Sequence, residues 1–141
     1  MLTRQFILAG KAIFTVSNDK GDRYTFRVTH KKGSERFAPA WFVALLTGPD
    51  NESDYSYMGM LDAETGDFRL TAKSKYTPET LPVKVAKFGL RIIWGTQELP
   101  AGYAIHHEGY CGRCGRLLTV PESVDSGFGP ECVKKMVCRA V

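Results

Sequence analysis

Residues 12–28 read AIFTVSNDKGDRYTFRV, two apolar runs on either side of a polar turn. β-Branched and aromatic side chains dominate residues 12–16 and 23–28, and such side chains favour strands because they pack well on a pleated surface. The turn at 18–22 is polar and contains Gly21, which tolerates the tight reversal of a hairpin. The stretch therefore predicts a β-hairpin, the first two strands of an antiparallel sheet.

Segments further along the chain extend this sheet. Residues 41–46 (WFVALL) form a continuous apolar run that is typical of a buried strand, although a run this short is also compatible with a helix. Residues 55–61 and 67–71 predict a second hairpin, joined by a turn at 62–66 that is rich in Asp and Gly. Residues 103–107 form a short extended segment that leads into the cysteine-rich end of the chain.

The hydrophobic period changes after Pro82, a residue that suits the first turn of a helix. Apolar side chains then recur at helical spacing and predict one buried face, formed by Val83, Ala86, Leu90, Ile93 and Trp94. Lys84, Lys87 and Arg91 lie on the opposite face of this helix. Gly89 interrupts the pattern, at a cost of about 1 kcal/mol relative to alanine.

These elements predict an α+β fold, an antiparallel β-sheet with one covering helix, in a domain of residues 1–105. Residues 106–141 contain all four cysteines and are expected to form a second, C-terminal module. The 141 residues carry 19 Lys and Arg against 15 Asp and Glu, a net charge of +4. The basic surplus lies in the first third of the chain, so charge alone does not mark the cysteine region as a nucleic-acid-binding surface.

The chain has no segment that predicts membrane insertion. No apolar run approaches the ~20 residues of a transmembrane helix. The apolar patch at residues 6–10 ends at Lys11 and is shorter than the ~7–15 residues of a signal-peptide core. We therefore expect a protein of the host-cell cytoplasm, where thiols stay reduced and a CxxC motif indicates metal or redox chemistry.

Residues 106–132 read HHEGYCGRCGRLLTVPESVDSGFGPEC and have the spacing of a zinc site. Structural zinc takes four sulfur or imidazole ligands, and the CxxC pair Cys111 and Cys114 suits a tight loop around such an ion. Cys132 follows Pro130 by two residues, so it falls in the first turn of a predicted last helix, where the helix dipole favours a thiolate. We call the CxxC loop of Cys111 and Cys114 the knuckle. A knuckle followed by a ligand at a helix N-terminus predicts a treble-clef-like zinc module.

The fourth zinc ligand has two candidates. His107 precedes Cys111 by four residues at the end of an extended segment, and its imidazole can reach the ion. Cys138 lies six residues after Cys132, about 9 Å along a helix, too far unless that helix ends early. We favour His107 and keep Cys138 as the alternative. A redox role for CxxC is less consistent with the sequence, because the βαβ pattern of thioredoxin-type motifs is missing and Cys132 would have no role.

The same residues resemble a small zinc-binding domain of unknown function that occurs in proteins of bacteriophages and other mobile elements. The shared pattern is a His, then CxxCGR-x-LT-x-P-x-S, then G-x-GP-x-C, over about 26 residues from 107 to 132. The resemblance implies that Cys111, Cys114, Cys132 and His107 are the metal ligands. Residues 14–59 also resemble, more loosely, the segment that precedes this domain in some phage proteins. The family implies no particular activity.

Several basic residues are candidates for contact with nucleic acid or another partner. They are Lys31, Lys32, Lys84, Lys87, Arg91, Arg113 and Arg116. Aromatic side chains that are available for stacking on bases are Tyr24, Tyr55 and Tyr57. The competing interpretation is ordinary solvated surface charge, which a net charge of +4 supports about equally well.

The sequence favours a binding protein over an enzyme, since it has no phosphate-binding glycine loop, HExxH motif or nucleophile elbow. A filled tetrahedral zinc site would also leave no coordination position for water. We expect a phage or mobile-element protein with a structural zinc site that contacts nucleic acid or a host protein, with no membrane partner and no small-molecule substrate. By analogy with the phage context, the alternative is an anti-CRISPR-like inhibitor of a host defence system or host enzyme, which acts by protein–protein contact.

Overall fold

The computed structural model describes residues 2–36, 38–49, 54–115 and 127–128. Two α-helices and six β-strands occur in this part of the chain. In chain order they are α1 (Arg4–Ile7), β1 (Lys11–Asn18), β2 (Arg23–Lys31), β3 (Ala40–Leu46), β4 (Tyr55–Leu61), β5 (Phe68–Arg69), α2 (Leu81–Ile93) and β6 (Tyr103–His107). No helix among the described residues is long and apolar enough to span a membrane.

The six strands form one antiparallel half-barrel sheet in the order β5-β4-β3-β2-β1-β6. The predicted first hairpin is confirmed, with Phe14 of β1 opposite Phe26 of β2. After α2 the chain returns to the far side of β1, where Ile105 of β6 pairs with Val16. β6 is therefore an edge strand of the described sheet, and it delivers the cysteine-containing segment to the end of β1 at which Lys11 lies. The predicted α+β class, a sheet with one main covering helix, is confirmed.

The helix α2 covers one face of the sheet, which we call the inner face. Alternate strand residues point to this face and are buried, because side chains along a strand alternate between its two sides. They include Phe14, Val16, Phe26, Val28, Val43, Leu45 and Ile105. The apolar side of α2 packs against them with the predicted positions Val83, Ala86, Leu90, Ile93 and Trp94.

Gly89 marks the closest approach of α2 to the sheet. A Cβ atom at this position would lie 2.9 Å from Cγ2 of Val16 and 3.7 Å from Cε2 of Phe14. A methyl group therefore has no room unless the helix moves away from β1. The propensity cost of glycine is offset by the tighter packing that it permits against the core.

Two details differ from the sequence predictions. The N-terminal apolar patch contains a short helix, α1, in which Phe6 and Ile7 are buried. The second hairpin is shorter than predicted, since β5 comprises two residues instead of residues 67–71. The strand favoured at residues 41–46 is confirmed as β3, and the run is apolar throughout because its outward-facing side chains, such as Phe42, are half-buried as well.

Candidate metal centre and nucleic-acid interface

Cys111 and Cys114 lie in a tight turn that resembles a metal-binding knuckle. The Cys114 N–H donates to Sγ of Cys111 at 3.5 Å, and the Gly115 N–H donates to the carbonyl oxygen of Cys111 at 2.9 Å. Gly115 has φ +80°, a left-handed conformation that glycine adopts without the steric cost of a Cβ. The turn thus directs a backbone N–H at the first sulfur, an arrangement that stabilises a thiolate.

The knuckle is hydrogen-bonded both to the sheet and to the turn that contains Gly127 and Phe128. The Lys11 N–H donates to the Gly112 carbonyl and the Gly112 N–H donates to the Gly127 carbonyl, both at 2.9 Å. Cys111 and Phe128 are buried, and the Phe128 ring lies 5.8 Å from the ring of Phe6 in α1. Gly127 and Phe128 are therefore held directly against the knuckle and α1.

His107 lies on the inner-face side of β6, opposite Phe14, and His106 faces the other side. Nδ1 of His107 accepts a hydrogen bond from the Gly109 N–H at 2.9 Å. A ring nitrogen that accepts a hydrogen bond carries no proton, so in the neutral imidazole the proton is on Nε2. Metal binding by His107 through either ring nitrogen would break the Gly109 hydrogen bond, because binding through Nε2 moves the proton to Nδ1.

The complete predicted ligand set cannot be compared with the structure, because Cys132, the alternative ligand Cys138 and the predicted helix from Pro130 lie outside the described residues. Within the described ranges, no three His, Cys, Asp or Glu side chains gather in a way that could hold a metal ion. The two described cysteines form no disulfide; Cys111 is buried and Cys114 half-buried.

The side of the sheet that faces away from α2, which we call the outer face, combines basic, aromatic and hydroxyl side chains. The register of the strands places these basic, aromatic and hydroxyl side chains next to one another on neighbouring strands. Its members on β1, β2, β3, β4 and β6 include Lys11, Ile13, Thr15, Arg23, Thr25, Arg27, Thr29, Lys31, Phe42, Tyr55, Tyr57 and His106. Basic groups outnumber acidic ones in this set.

Arg27 and Tyr55 form the central pair of the outer face. The guanidinium carbon of Arg27 lies 4.1 Å from the centre of the Tyr55 ring, a cation–π contact that holds the arginine flat. Burial raises the pKa of Tyr55 above its ordinary value of 10.0, the Arg27 charge partly offsets this, and Glu108 and Tyr110 raise the pKa further. Residues after β6 therefore lie close to the outer face, and the Tyr55 hydroxyl stays protonated at neutral pH.

Glu108 is the acidic residue at the β6 end of the outer face. Its Oε1 lies 3.1 Å from NH2 of Arg23 and 3.5 Å from Nε2 of His106. Thr15 donates to the same oxygen, and its hydroxyl lies 2.7 Å from that of Thr25. These contacts satisfy Thr15, a fully buried polar residue.

A cavity of about 360 Å³ lies between the outer face and the knuckle. Lys11, Arg27 and Thr29 line its sheet side, and Tyr110 and Cys114 line the side of the knuckle. Sequence reasoning missed Lys11, Arg27 and Tyr110 as candidate contact residues. Strand alternation in the first hairpin was the available signal, because it places positions 11, 27 and 29 on one face.

The predicted contact residues lie on more than one surface. Lys84 and Arg91 are on the solvent side of α2, with Lys87 half-buried on the same side. Lys31 ends β2 in register with the outer face, and Lys32 follows it. Arg113 lies within the knuckle, and Arg116 is outside the described residues. The sheet thus separates the basic side of α2 from the outer-face cations.

Comparison with known proteins gives one match. Residues 105–137 match a family of unknown function (DUF6011). The matched range contains His107, Cys111, Cys114 and Cys132 and ends before Cys138. No curated protein and no solved structure matches the chain.

Proposed function

We propose that this chain is a non-enzymatic nucleic-acid-binding protein of a phage or mobile element, whose C-terminal module is folded around a structural zinc ion. The observation that carries the proposal is the outer face, where arginine, lysine and aromatic side chains lie next to one another and next to the cysteine knuckle. The zinc ion supplies a cross-link that orders the segment after β6, and it takes no part in turnover.

The geometry of the knuckle supports the zinc site. A sulfur that accepts a backbone N–H while a glycine closes the turn is suited to bind a metal as a thiolate. Cys132 is the third sulfur: it follows Phe128 by four residues, and a chain of this length spans at most about 14 Å. Since Gly127 is hydrogen-bonded to the knuckle, Cys132 is within covalent reach of Cys111 and Cys114.

His107 is our fourth ligand, and Cys138 is the alternative. The His107 ring lies 5.7 Å from the ring of Phe6, and Phe6 in turn packs against Gly112 of the knuckle and Phe128. Release of the Gly109 hydrogen bond is the cost of this choice, about 1 kcal/mol, which is small against the free energy of zinc binding.

Elemental analysis of the purified protein tests the zinc site. We expect about one zinc per chain and its loss in Cys111→Ser, because the three remaining ligands hold the metal much more weakly. Protein that is folded, free of metal and indifferent to added zinc would contradict the proposal.

Single-stranded nucleic acid is the class of ligand that the outer face fits best. Proteins that bind single strands combine cations for the backbone with aromatic rings for stacking, often on the face of a sheet. Phe42 and Tyr57 are half-buried with ring centres 6.0 Å apart, so part of each ring is accessible beside the Arg27–Tyr55 pair. A duplex reader would instead present a helix or narrow ribbon to the major groove.

Charge reversal on the two sides of the sheet tests where nucleic acid binds. The double variant Lys11→Glu/Lys31→Glu alters the outer face, and Lys84→Glu/Lys87→Glu makes the same change in charge on α2. We expect the first to abolish binding of a labelled single strand at moderate salt and the second to retain it, with wild-type affinity that falls steeply as salt is added.

The opposite order would move the contact to α2, as the sequence suggested. If the wild-type protein bound neither DNA nor RNA, the proposed function would be wrong. Capture of one host protein that persists after nuclease treatment would then favour the inhibitor hypothesis.

A further inference from the structure

We infer that the cavity between β1, β2 and the knuckle is a binding site for one nucleotide unit, a phosphate together with its base. This inference rests on the proposed function and makes it more specific, because it assigns a discrete site where the proposal assigns a face. The cavity volume of about 360 Å³ falls in the range of roughly 300–1,000 Å³ that is typical of small-molecule sites.

The charge of the cavity favours an anion. Lys11 and Arg27 line it, and no Asp or Glu is among the lining residues that the structure describes. Arg27 is stacked on Tyr55, which fixes the plane of its guanidinium. Lys11 is exposed, and its side chain passes Gly115, so a methyl group at Gly115 would lie 3.3 Å from Cδ of Lys11. Both cations thus lie on the sheet side of the cavity, with Lys11 nearest to the knuckle.

The remaining lining residues suit a base and a sugar. Tyr110 is an aromatic ring on the knuckle side, and base–aromatic stacking does not depend on sequence because every base has a π-face. Ile13 contributes an apolar surface, and the hydroxyl of Thr29 can donate to or accept from a sugar hydroxyl or a base edge. A bare phosphate would leave the aromatic and apolar part of the site unused.

The position of the cavity links the site to the proposed zinc module. Cys114 and Gly115 form part of its wall, and Lys11 is hydrogen-bonded through its backbone N–H to Gly112 of the same turn. The shape of the cavity therefore depends on the conformation of the knuckle. The terminal nucleotide of a nucleic acid and a free mononucleotide would contact the same side chains of the cavity. The experiment therefore has to separate these two sources.

The test uses the full-length zinc-loaded protein and two probes. Binding of a fluorescent oligothymidylate is measured by anisotropy over a series of salt concentrations, and thymidine monophosphate and inorganic phosphate are added as competitors. Lys11→Met keeps the aliphatic stem and removes the charge; Tyr110→Leu removes the ring. Lys20→Met, in the exposed turn at the other end of β1, is the matched control for loss of one positive charge.

We expect Lys11→Met to weaken strand binding about tenfold and to lower the slope of affinity against salt by about one ion. Tyr110→Leu should weaken binding about tenfold with an unchanged salt slope, because a ring contributes stacking and no charge. Lys20→Met should match the wild type. Thymidine monophosphate should displace the oligothymidylate more effectively than inorganic phosphate does at the same concentration.

Outcomes that would overturn the inference differ from those that would overturn the proposed function. If the strand bound normally to Lys11→Met and Tyr110→Leu, the cavity would not be the nucleotide site, and the outer face as a whole would remain the binding surface. If the wild type bound no strand but bound the mononucleotide in a Lys11-dependent way, the site would stand as a free-nucleotide site and the proposed function would fail. Binding of neither probe would overturn both. Lys11 is exposed, so its variant is informative even if Tyr110→Leu does not fold.

Discussion

Tyr55 shows how a single side chain connects the sheet to the segment after β6. Its ring supports Arg27, and its hydroxyl is buried without a hydrogen-bond partner among the described residues. Burial, opposed by Arg27 and reinforced by Glu108 and Tyr110, raises its pKa above 10.0. A buried hydroxyl that lacks a partner contributes little to stability, while the ring beside it holds the arginine in place.

Tyr55→Phe should therefore be neutral or stabilising at pH 7, because the ring and its contact with Arg27 remain. In the wild type the raised pKa means that the unfolded state releases its proton first, so stability is complete below pH 10 and falls as pH rises through the folded pKa. The variant should lose less stability than the wild type in this range. Urea unfolding at neutral pH and at several values above pH 10 measures the difference. A steeper decline in the variant would contradict the assignment.

His107 and Cys138 give a second prediction at the level of residues. His107→Ala should lower the zinc content of the purified protein more than Cys138→Ala does, since His107 lies in the cluster that contains Phe6 and adjoins the knuckle. His106→Ala is the control, because His106 occupies the neighbouring position but faces the other side of β6. A larger zinc loss in Cys138→Ala would identify the cysteine as the fourth ligand.

Among the secondary-structure elements, α2 depends on a close approach that its sequence pattern does not reveal. The periodicity of apolar residues predicts which side of the helix is buried, and the structure confirms it. The distance between helix and sheet depends on what lies opposite Gly89, and that is Val16 on β1. Glycine at this position is a packing requirement that appears in the sequence only as a weak helix former.

Gly89→Ala should lower the free energy of unfolding by about 1 kcal/mol. The gain in helix propensity of about 1 kcal/mol is smaller than the cost of overpacking against Val16 and Phe14, which reaches about 1–3 kcal/mol. Denaturant unfolding measures the change. Lys84→Ala, on the solvent side of the same helix, should change stability by less than about 0.5 kcal/mol. A stabilised Gly89→Ala protein would mean that α2 can move off the sheet at little cost.

For the whole molecule, the distribution of the core separates the stability of the sheet from that of the C-terminal segment. Nearly all of the buried apolar residues in the described chain lie within α1, α2 and the six strands or directly beside them. Cys111 and Phe128 are the described core residues that lie beyond β6. The predicted boundary at 105/106 falls within β6, so the strand belongs to the sheet on one side and leads to the module on the other.

Removal of zinc by a chelator should therefore loosen the segment after β6 and leave the sheet folded. We expect faster amide hydrogen exchange at residues 109–115 and 127–128, with protection retained in β1 to β4. The far-ultraviolet circular dichroism of the sheet should change little, while single-strand affinity falls because Tyr110 and Cys114 line the cavity. Apo protein that exchanges like the zinc-loaded form would rule out a folding role for the metal.

The sequence by itself determined the local features of this protein. Period-two and helical patterns predicted the first hairpin, the strand at 41–46 and the buried side of α2, because these depend on which side chains neighbours along the chain present to one face. The CxxC spacing predicted a tight turn, and the structure contains one. The zinc ligands remain a prediction, since Cys132 and Cys138 lie outside the described residues.

Only the tertiary structure decided which distant residues meet. The pairing of β6 with β1 carries Tyr110 to Lys11, and the cation–π contact of Arg27 joins β2 to β4 across β3. Such contacts link residues that are far apart in the chain, and no periodicity within a segment encodes the partner strand or the register. For the same reason the sequence named Lys31, Tyr55 and Tyr57 as separate candidates beside the basic side of α2, and it did not show that the three share one face of the sheet.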